Sequence, residues 1–246
     1  MYQSVFERYE LKYMLTKEQL ERTLAVMAPY MRADSYGKTT IRNLYFDTDT
    51  YLLIRRSIEK PIYKEKLRLR SYKLASHEDT VFAEIKRKYN GIVYKRRVAL
   101  TESKAIEWLC SGGKAPENTQ ISREIDYFKE HYGGLHSAVF LSYDREAYYS
   151  LTDDSFRVTF DKNILARDTD LSLCAKPYGM PLLEDGTVLM EIKCAGGIPL
   201  WMTSFLSKEK IYKTSFSKYG EAYRKIIYPK LKKQSNKEDV CYALCL

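Results

Sequence analysis

The chain has 246 residues, of which 45% are hydrophobic and 13% are aromatic, enough for a real core in one large β-rich domain or two small ones. Its 41 lysines and arginines exceed its 32 aspartates and glutamates, which gives a formal charge of +9. That excess predicts anionic partners, such as nucleic acid, acidic lipid or phosphate compounds, but a merely basic surface would give the same number.

The N-terminal half predicts helices and strands separated by clear local signals. Thr16 followed by Gln19 is a capping box, and apolar residues at helical spacing follow it. Asn90-Gly91 between two alternating runs predicts a hairpin turn. The helices of this half are predicted over 17–31, 103–110 and 120–132. Its strands are predicted over 5–15, 41–46, 62–73, 80–89 and 92–101.

The C-terminal half continues the pattern. Ser217 is predicted to cap a final helix that runs to about residue 228 and is ended by Pro229. About eight strands, with helices between and after them, indicate an α+β protein. No change in composition marks a boundary, so we expect one domain over 1–229 and a charged, loosely held tail over 230–246. The strands of this half are predicted over 137–149, 155–161 and 187–194.

Cysteine and histidine usage argues against several kinds of site. The five cysteines have irregular spacing and no CxxC pair, which disfavours a disulfide framework or a structural zinc site and fits thiols in a reducing cytosol. The three histidines offer no triad or HExxH arrangement. The charged N-terminus is not a signal peptide, and no apolar run approaches the roughly 18 residues that span a bilayer. We therefore expect a cytoplasmic protein that contacts a membrane only through a partner or a surface patch.

Charged residues alternate along most of the predicted strands. Because alternate side chains of a strand share a face, Lys66, Arg68 and Arg70 point to one side while Leu67 and Leu69 point to the other. A single strand of this kind usually has a solvated face. If the strands close into a barrel, however, these faces line a lumen whose cations require an anionic ligand. The pattern recurs in Arg8, Glu10, Lys12, Glu84, Lys86, Lys88, Lys95, Arg97, Glu191 and Lys193.

Two other patterns are assigned structural roles. Asp47-Thr48-Asp49 resembles a metal-binding aspartate pair, but we expect it to turn the chain after a strand. The 22 tyrosines could stack on bases, but their spread over the strands favours the outer shell of a barrel.

Nine short motifs follow one another along residues 6–219. They are FERYELKY at 6–13, LYFDT at 44–48, KLRLRSY at 66–72, FAEIK at 82–86, VYKRR at 93–97, SYDR at 142–145, FRVTFD at 156–161, LMEIK at 189–193 and SFSKY at 215–219. In order and spacing they resemble the polyphosphate polymerase domain of the vacuolar transporter chaperone (VTC) family. That family belongs, with the CYTH proteins, to the triphosphate tunnel metalloenzymes.

The resemblance implies a tunnel walled by eight antiparallel strands, an antiparallel β-barrel with flanking helices and a C-terminal helix. Basic side chains would hold a triphosphate inside it. The residues that match the phosphate-binding wall are Lys12, Arg68, Arg70, Lys86, Lys95, Arg145 and Arg157. Among them, the expected catalytic residues are Arg68, Arg70, Lys86 and Arg145. Lys218, with Ser217, matches a lysine that reaches the tunnel mouth from the last helix. The residues that share strand parity and are expected to assist binding are Arg8, Lys66, Arg97 and Lys193.

The resemblance also implies a divalent metal, Mn²⁺ or Mg²⁺, bound by Glu191, with Glu84 and Glu10 as weaker candidates. Guanidinium groups bind phosphate oxygens bidentately, and Mg²⁺ often uses only one or two carboxylates. Phosphoryl transfer needs mainly positioning and charge neutralisation, so the scarcity of histidine is no objection. If the terminal phosphate of a growing chain attacks the γ-phosphate of ATP, the attacking oxygen is already ionised and needs no strong base.

One departure from the wider superfamily bears on the reaction. Many CYTH-type hydrolases carry Glu-x-Glu-x-Lys on the first strand, whereas this chain has Arg8-x-Glu10-x-Lys12. The change favours a long polyanion and a single metal over metal-activated water, and so favours ATP-dependent polyphosphate synthesis. The alternatives are hydrolysis of tripolyphosphate, a nucleoside triphosphate or an RNA 5′-triphosphate, and non-catalytic binding of polyphosphate or nucleic acid. Expected partners are ATP or another triphosphate and inorganic polyphosphate, without a specific nucleic acid; a membrane partner protein stays open.

Overall fold

The computed structural model describes residues 9–234, which form one antiparallel sheet with helices packed around it. The strands are β1 Tyr9–Leu15, β2 Met31–Ala33, β3 Thr39–Asp47, β4 Tyr63–Ser71, β5 Thr80–Tyr89, β6 Ile92–Thr101, β7 His136–Ser150, β8 Arg157–Arg167, β9 Met180–Pro181, β10 Val188–Cys194 and β11 Lys213–Thr214. The helices are α1 Lys17–Met27, α2 Leu52–Ile58, α3 Glu102–Cys110, α4 Gln120–Tyr132, α5 Leu200–Lys208 and α6 Lys218–Ala222. A π-helical segment, Tyr223–Ile227, continues α6 into a last helical stretch over 228–234.

The local signals in the sequence act as expected at three places. The Thr16 side chain accepts a hydrogen bond from the Gln19 backbone amide, which completes the capping box of α1. Asn90 and Gly91 have φ values of 45° and 89°, the left-handed backbone that a tight hairpin between β5 and β6 requires. The Ser217 side chain caps α6 by accepting a hydrogen bond from the Gly220 amide.

Three expectations about helices are wrong. Helix α1 ends at Met27 instead of residue 31, because Pro29 has no amide to continue the hydrogen-bonding ladder. Helix α2 lies where no element was predicted. The last helix does not stop at Pro229 but continues to residue 234. The π-helical segment just before Pro229 widens the backbone there, so the proline ring avoids the carbonyl that a regular α-helix would place against it. The predicted loose tail thus begins with helical residues, and 235–246 lie outside the described residues.

Asp47, at the end of β3, explains why α2 forms. Its carboxylate accepts hydrogen bonds from the backbone amides of Thr48, Leu53 and Ile54, and from the Tyr219 hydroxyl at 2.8 Å. Asp47 therefore turns the chain and caps the following helix, as the sequence indicated, and it is not part of a metal-binding pair.

Apolar side chains cover both ends of the sheet. Leu67 and Leu69 of β4 pack with Trp108 of α3 and Phe128 of α4 on the outer, convex side. A second outer cluster holds the apolar faces of β1, β8 and β10 against α1 and α5. The third cluster lies on the opposite side of the sheet, where α2 and the C-terminal helix cover one end of the concave face.

The closed eight-stranded barrel is not confirmed. The strands follow the order β11-β1-β10-β8-β7-β3-β4-β5-β6, with β2 on β7 and β9 on β8. No backbone pairing joins β6 to β1 within residues 9–234. A physical reason is that β1 already pairs with β10 on one side and with β11 at Lys12 and Tyr13 on the other.

The sheet nevertheless curls until its two ends meet. Five strands separate β1 from β5 in the sheet order, yet the ammonium group of Lys86 on β5 lies 3.1 Å from the Glu10 carboxylate on β1. Some Cα atoms of β1 and β6 also lie within 8 Å of each other. One concave surface, called here the inner face, therefore gathers side chains from strands that are far apart in the sheet.

Candidate functional site

The inner face is strongly basic because strand alternation sends the charged residues inward and the apolar residues outward. On β4, for example, Leu67 and Leu69 are fully buried in the outer core while the charged residues between them contact the opposite side. The inner face is lined by Glu10, Lys12, Lys64, Lys66, Arg68, Arg70, Glu84, Lys86, Lys95, Arg145, Asp161, Glu191 and Lys193, with Lys218 added by α6.

One group of these residues surrounds Glu84, which is fully buried. Its carboxylate accepts two hydrogen bonds from the Arg68 guanidinium, at 2.9 and 2.7 Å, and one from Lys95 at 3.2 Å. Arg70 lies 3.8 Å away. Burial raises the pKa of Glu84, but these cations outweigh that effect and hold it well below its usual range. Glu84 is thus an ionised carboxylate already saturated with protein cations.

A second group surrounds Glu191 and Asp161 on the neighbouring strands β10 and β8. Arg145 donates to both carboxylate oxygens of Asp161, each at 2.6 Å, and to Glu191 at 3.0 Å. Lys218 from α6 lies 3.0 Å from Glu191 and also pairs with Asp161. Burial raises the pKa of Glu191, but Lys218, Lys12 and Arg145 lower it far more, so the carboxylate is ionised.

A third group joins the other two. Lys12 lies 3.5 Å from Glu10 and 3.6 Å from Glu191, so it bridges the two carboxylates. Glu10 also contacts Lys86, and its pKa is lowered by these cations despite burial. The side chain of Glu10 is 17% exposed, whereas that of Glu84 is fully buried. Glu10 is therefore the more accessible of the two.

Three inner-face lysines, Lys64, Lys66 and Lys193, have no carboxylate partner among the ion pairs of residues 9–234, and Lys64 donates instead to the Ser57 carbonyl at 3.1 Å. Lys66 donates to the Ser217 hydroxyl at 3.1 Å, and Lys193 has no such contact. Burial and, to a smaller extent, the neighbouring charges of Lys12 and Lys86 together lower the pKa of Lys66 to about 7. Burial and Arg145 likewise lower the pKa of Lys193 to about 7. The inner face thus holds more positive charge than its own carboxylates compensate.

The remaining predicted residues lie at the margins of this arrangement. Arg97 is exposed and its guanidinium lies 4.6 Å from the Phe82 ring centre. Arg157 stacks on Tyr149 and lies 3.7 Å from Asp34, away from the three groups. Arg8 lies outside the described residues.

Sequence reasoning missed several inner-face residues. Asp161 is fully buried between Arg145 and Lys218, and its strand parity with Arg157 could have identified it. The hydroxyl group of Tyr45 accepts from Arg68 at 2.8 Å, and that of Tyr143 from Arg70 at 3.1 Å. The expectation that the tyrosines fill an outer shell is therefore wrong for these two.

The inner-face carboxylates fit a divalent cation only in part. Glu10 and Glu191 lie on the same face of the paired strands β1 and β10, and Lys12 contacts both. Two carboxylates together with phosphate oxygens are a donor set that Mg²⁺ or Mn²⁺ accepts. Glu84 fits poorly, because its side chain is fully buried and three protein cations already contact its oxygens. Glu191 also contacts three cations, Lys12, Arg145 and Lys218, so an ion bound there would displace at least one of them.

Comparison with known structures defines the class of the fold. A candidate adenylate cyclase from Bacillus halodurans is 14% identical and superposes with a TM-score of 0.56, covering 91% of this chain and 100% of its own. A candidate adenylyl cyclase from Hippeastrum, described as having a dominant triphosphatase activity, is 15% identical, with a TM-score of 0.53 over 89% of this chain and 95% of its own. This chain therefore shares the fold of these two proteins.

The chain belongs to the VTC domain family, whose model matches residues 7–227. The family resemblance read from the nine motifs is thereby confirmed. No curated protein matches the chain significantly. Among residues 9–234, none of the helices combines the length and the apolar character needed to cross a bilayer.

Proposed function

We propose that this protein extends inorganic polyphosphate by metal-dependent phosphoryl transfer from ATP on the inner face. The observation that carries the proposal is the convergence of cations from β1, β4, β5, β7, β10 and α6 on one concave surface, in excess of its carboxylates. Buried like charges repel each other unless anions lie between them. A chain of phosphates supplies such anions at regular intervals.

The contacts indicate two different roles for the basic residues in binding phosphate. Lys64, Lys66 and Lys193, which lack carboxylate partners among the described residues, are the cations most available to phosphate. Arg68, Arg70 and Arg145 are held in place by carboxylates and tyrosines, so their guanidinium groups are oriented before substrate arrives. Pre-oriented donors stabilise developing charge in a transition state better than groups that must rearrange.

A divalent ion held by Glu191 and Glu10 would neutralise charge on the β- and γ-phosphates of ATP. The attacking group is a terminal phosphate oxygen that is ionised at neutral pH, so the protein needs no strong base. Lys218, 3.0 Å from Glu191 at the start of α6, would hold the phosphate that is transferred. Positioning and charge neutralisation are the main requirements of phosphoryl transfer.

Hydrolysis of a triphosphate is the second candidate. The Hippeastrum protein that shares the fold is described as having a dominant triphosphatase activity. The same cations would bind tripolyphosphate or a nucleoside triphosphate, with water in place of the growing chain. Membership of the VTC domain family favours the polymerase over this alternative.

Incubation of the purified protein with ATP and Mn²⁺ or Mg²⁺ separates the two reactions. Long phosphate chains on a gel support polyphosphate synthesis, whereas release of free phosphate alone supports hydrolysis. Glu191→Gln should abolish either reaction. Lys104→Ala, which changes an exposed lysine of α3, is the matched control and should leave the rate unchanged.

Non-catalytic binding makes a different prediction. If the inner face is the site, Arg70→Ala should abolish turnover with little loss of bulk affinity for polyphosphate, while Lys104→Ala changes neither. If the protein only binds polyanions over its surface, both variants should weaken binding to a similar, salt-sensitive degree. A melting temperature for each variant shows that the fold is intact.

A further inference from the structure

A cluster of three possible metal ligands lies away from the inner face, where three segments of the chain meet. His77 belongs to the connection between β4 and β5, Glu102 begins α3, and Cys174 lies in the segment between β8 and β9. One ligand atom from each of these residues lies within 4.8 Å of the others. The His77 Nδ1 atom is 2.9 Å from the Glu102 carboxylate. We propose that His77, Glu102 and Cys174 bind a zinc ion.

Glu102 is the strongest reason for a cation at this place. It is only 2% exposed, yet among the ion pairs of residues 9–234 its partner is His77, with no lysine or arginine within 4.0 Å. The buried carboxylates of the inner face, by contrast, each have two or more lysine or arginine partners. A buried carboxylate is costly unless a positive charge compensates it. The N-terminus of α3 supplies only a partial charge.

The donor set identifies the ion. Zn²⁺ accepts imidazole nitrogen, thiolate sulfur and carboxylate oxygen, commonly as three protein ligands with a water in the fourth position. Mg²⁺ and Mn²⁺ prefer oxygen donors only. In a tetrahedral zinc site the ligand atoms lie about 3.5 Å apart, so rotation of the three side chains would be enough to reach it.

The backbone around the cluster is already fixed. The Ser103 amide donates to the His77 carbonyl at 3.0 Å, and the Ala75 amide donates to the Leu173 carbonyl at 3.3 Å. These bonds join the β4–β5 connection to α3 and to the segment that carries Cys174. A site whose ligands are positioned before the ion binds loses little entropy on binding.

Zinc binding would displace the thiol proton, so Cys174 would bind as a thiolate and one proton would pass to solvent. Burial and the Glu102 carboxylate raise the pKa of the Cys174 thiol while no metal is bound. The cysteine spacing in the sequence did not indicate this site, because a single cysteine contributes and the other two ligands lie more than 70 positions earlier in the chain.

Metal titration of the full chain, stripped with a chelator and kept free of ATP, tests the proposal. Zn²⁺ should bind at one equivalent, and Co²⁺ in its place should give a thiolate-to-cobalt charge-transfer band. Cys174→Ser should abolish the band and weaken Zn²⁺ binding at least tenfold. His77→Gln should also weaken it, and it is safe for the fold because the His77 side chain is 79% exposed.

Cys110→Ser is the matched control, since Cys110 is exposed and lies outside the cluster; it should leave the band and the affinity unchanged. A cobalt complex without a thiolate band, or a Zn²⁺ affinity that Cys174→Ser does not change, would overturn the proposal. Neither result bears on polyphosphate synthesis, because the titration contains no ATP and the variants lie outside the inner face.

Discussion

At the scale of single residues, the inner face is a set of carboxylates that each hold several cations in place. Glu84 orients Arg68 and Lys95, and Glu191 orients Arg145 and Lys218. These carboxylates stay ionised despite burial because the cations lower their pKa values. Their main effect is therefore on the geometry of the basic groups, and removing one of them leaves buried charge uncompensated.

Glu84→Gln should lower the free energy of unfolding by about 3 kcal/mol, since it leaves Arg68 without its charged partner in a buried position. Urea denaturation measures the change. Glu78→Gln, at an exposed glutamate in the connection before β5, is the matched control and should change the stability by less than about 0.5 kcal/mol. Equal effects of the two substitutions would contradict the structural role assigned to Glu84.

Lys66 should make phosphate binding depend on pH. Its pKa, lowered to about 7 by burial and by neighbouring cations, means that the neutral amine predominates above that pH. Only the ammonium form attracts phosphate, so the affinity for tripolyphosphate should fall as the pH rises from about 7 to about 9. The Lys66→Arg variant keeps its charge over this range, so its affinity should fall less steeply with pH. The difference in slope between the two proteins should be up to about tenfold in affinity per pH unit.

Calorimetric titrations with tripolyphosphate, in the absence of divalent metal, measure this difference. Ionisation of the ligand affects both proteins equally and cancels in the comparison. Lys104→Arg at the exposed surface should follow the unmodified protein at every pH. Parallel pH profiles for Lys66→Arg and the unmodified protein would show that Lys66 does not titrate on binding.

At the scale of elements, the C-terminal helix is bound to the sheet mainly through its first turn. Lys218 contacts Asp161 and Glu191, and Tyr219 donates to Asp47, which ends β3 and caps α2. Tyr219 also stacks on Tyr45 with ring centres 5.0 Å apart. The position of Lys218 on the inner face thus depends on contacts that Tyr219 makes with β3.

Asp47 and Tyr219 should therefore be energetically coupled. Tyr219→Phe should cost about 1 kcal/mol of stability, because it removes one hydrogen bond to a buried carboxylate. Asp47→Asn should cost more, since it weakens the cap of α2 as well. The loss of stability in the double variant should be smaller than the sum of the two single-variant losses by at least about 0.5 kcal/mol. Strict additivity in urea denaturation would contradict the contact.

Most elements could be predicted from the sequence, because their signals are local. The alternation of Lys66, Arg68 and Arg70 with leucines fixed both the strand and its inward face, and Asn90-Gly91 fixed a turn. Helix α2 escaped prediction because its cap, Asp47, acts across six residues and from within a strand. The short strands β2, β9 and β11 depend on partners far away in the chain, which no local pattern reveals.

The basic residues of the candidate site could be predicted from the sequence, whereas most of their ion-pair partners could not. Strand parity identified the basic residues, whereas the pairing of Lys86 with Glu10 depends on the curl of the whole sheet. The place of Asp161 between Arg145 and Lys218 likewise requires β7, β8 and α6 to meet. Contacts between strands that are distant in the sheet order arise from global shape, and a single sequence does not encode them in any local spacing.

At the scale of the whole molecule, the uncompensated positive charge of the inner face should make stability depend on polyanions. A ligand that binds only the folded protein stabilises it by about 2.7 kcal/mol at a hundred times its dissociation constant. Tripolyphosphate should therefore raise the melting temperature well above the effect of sodium chloride at equal ionic strength. Thermal unfolding with both additives measures this, and equal shifts would show that screening alone is at work.

The contact between Lys86 and Glu10 has one more consequence. It connects β5 to β1, near the two ends of the curled sheet, through a partly exposed pair of side chains. A fully closed wall would instead use a ladder of backbone hydrogen bonds. Even a partly buried pair of this kind is one side-chain contact, so separating the two strands at this point costs less than breaking a ladder of backbone hydrogen bonds. If the substrate is polyphosphate, as proposed, the chain can enter the groove sideways without threading a free end, and its internal segments are then as accessible to the protein as its termini.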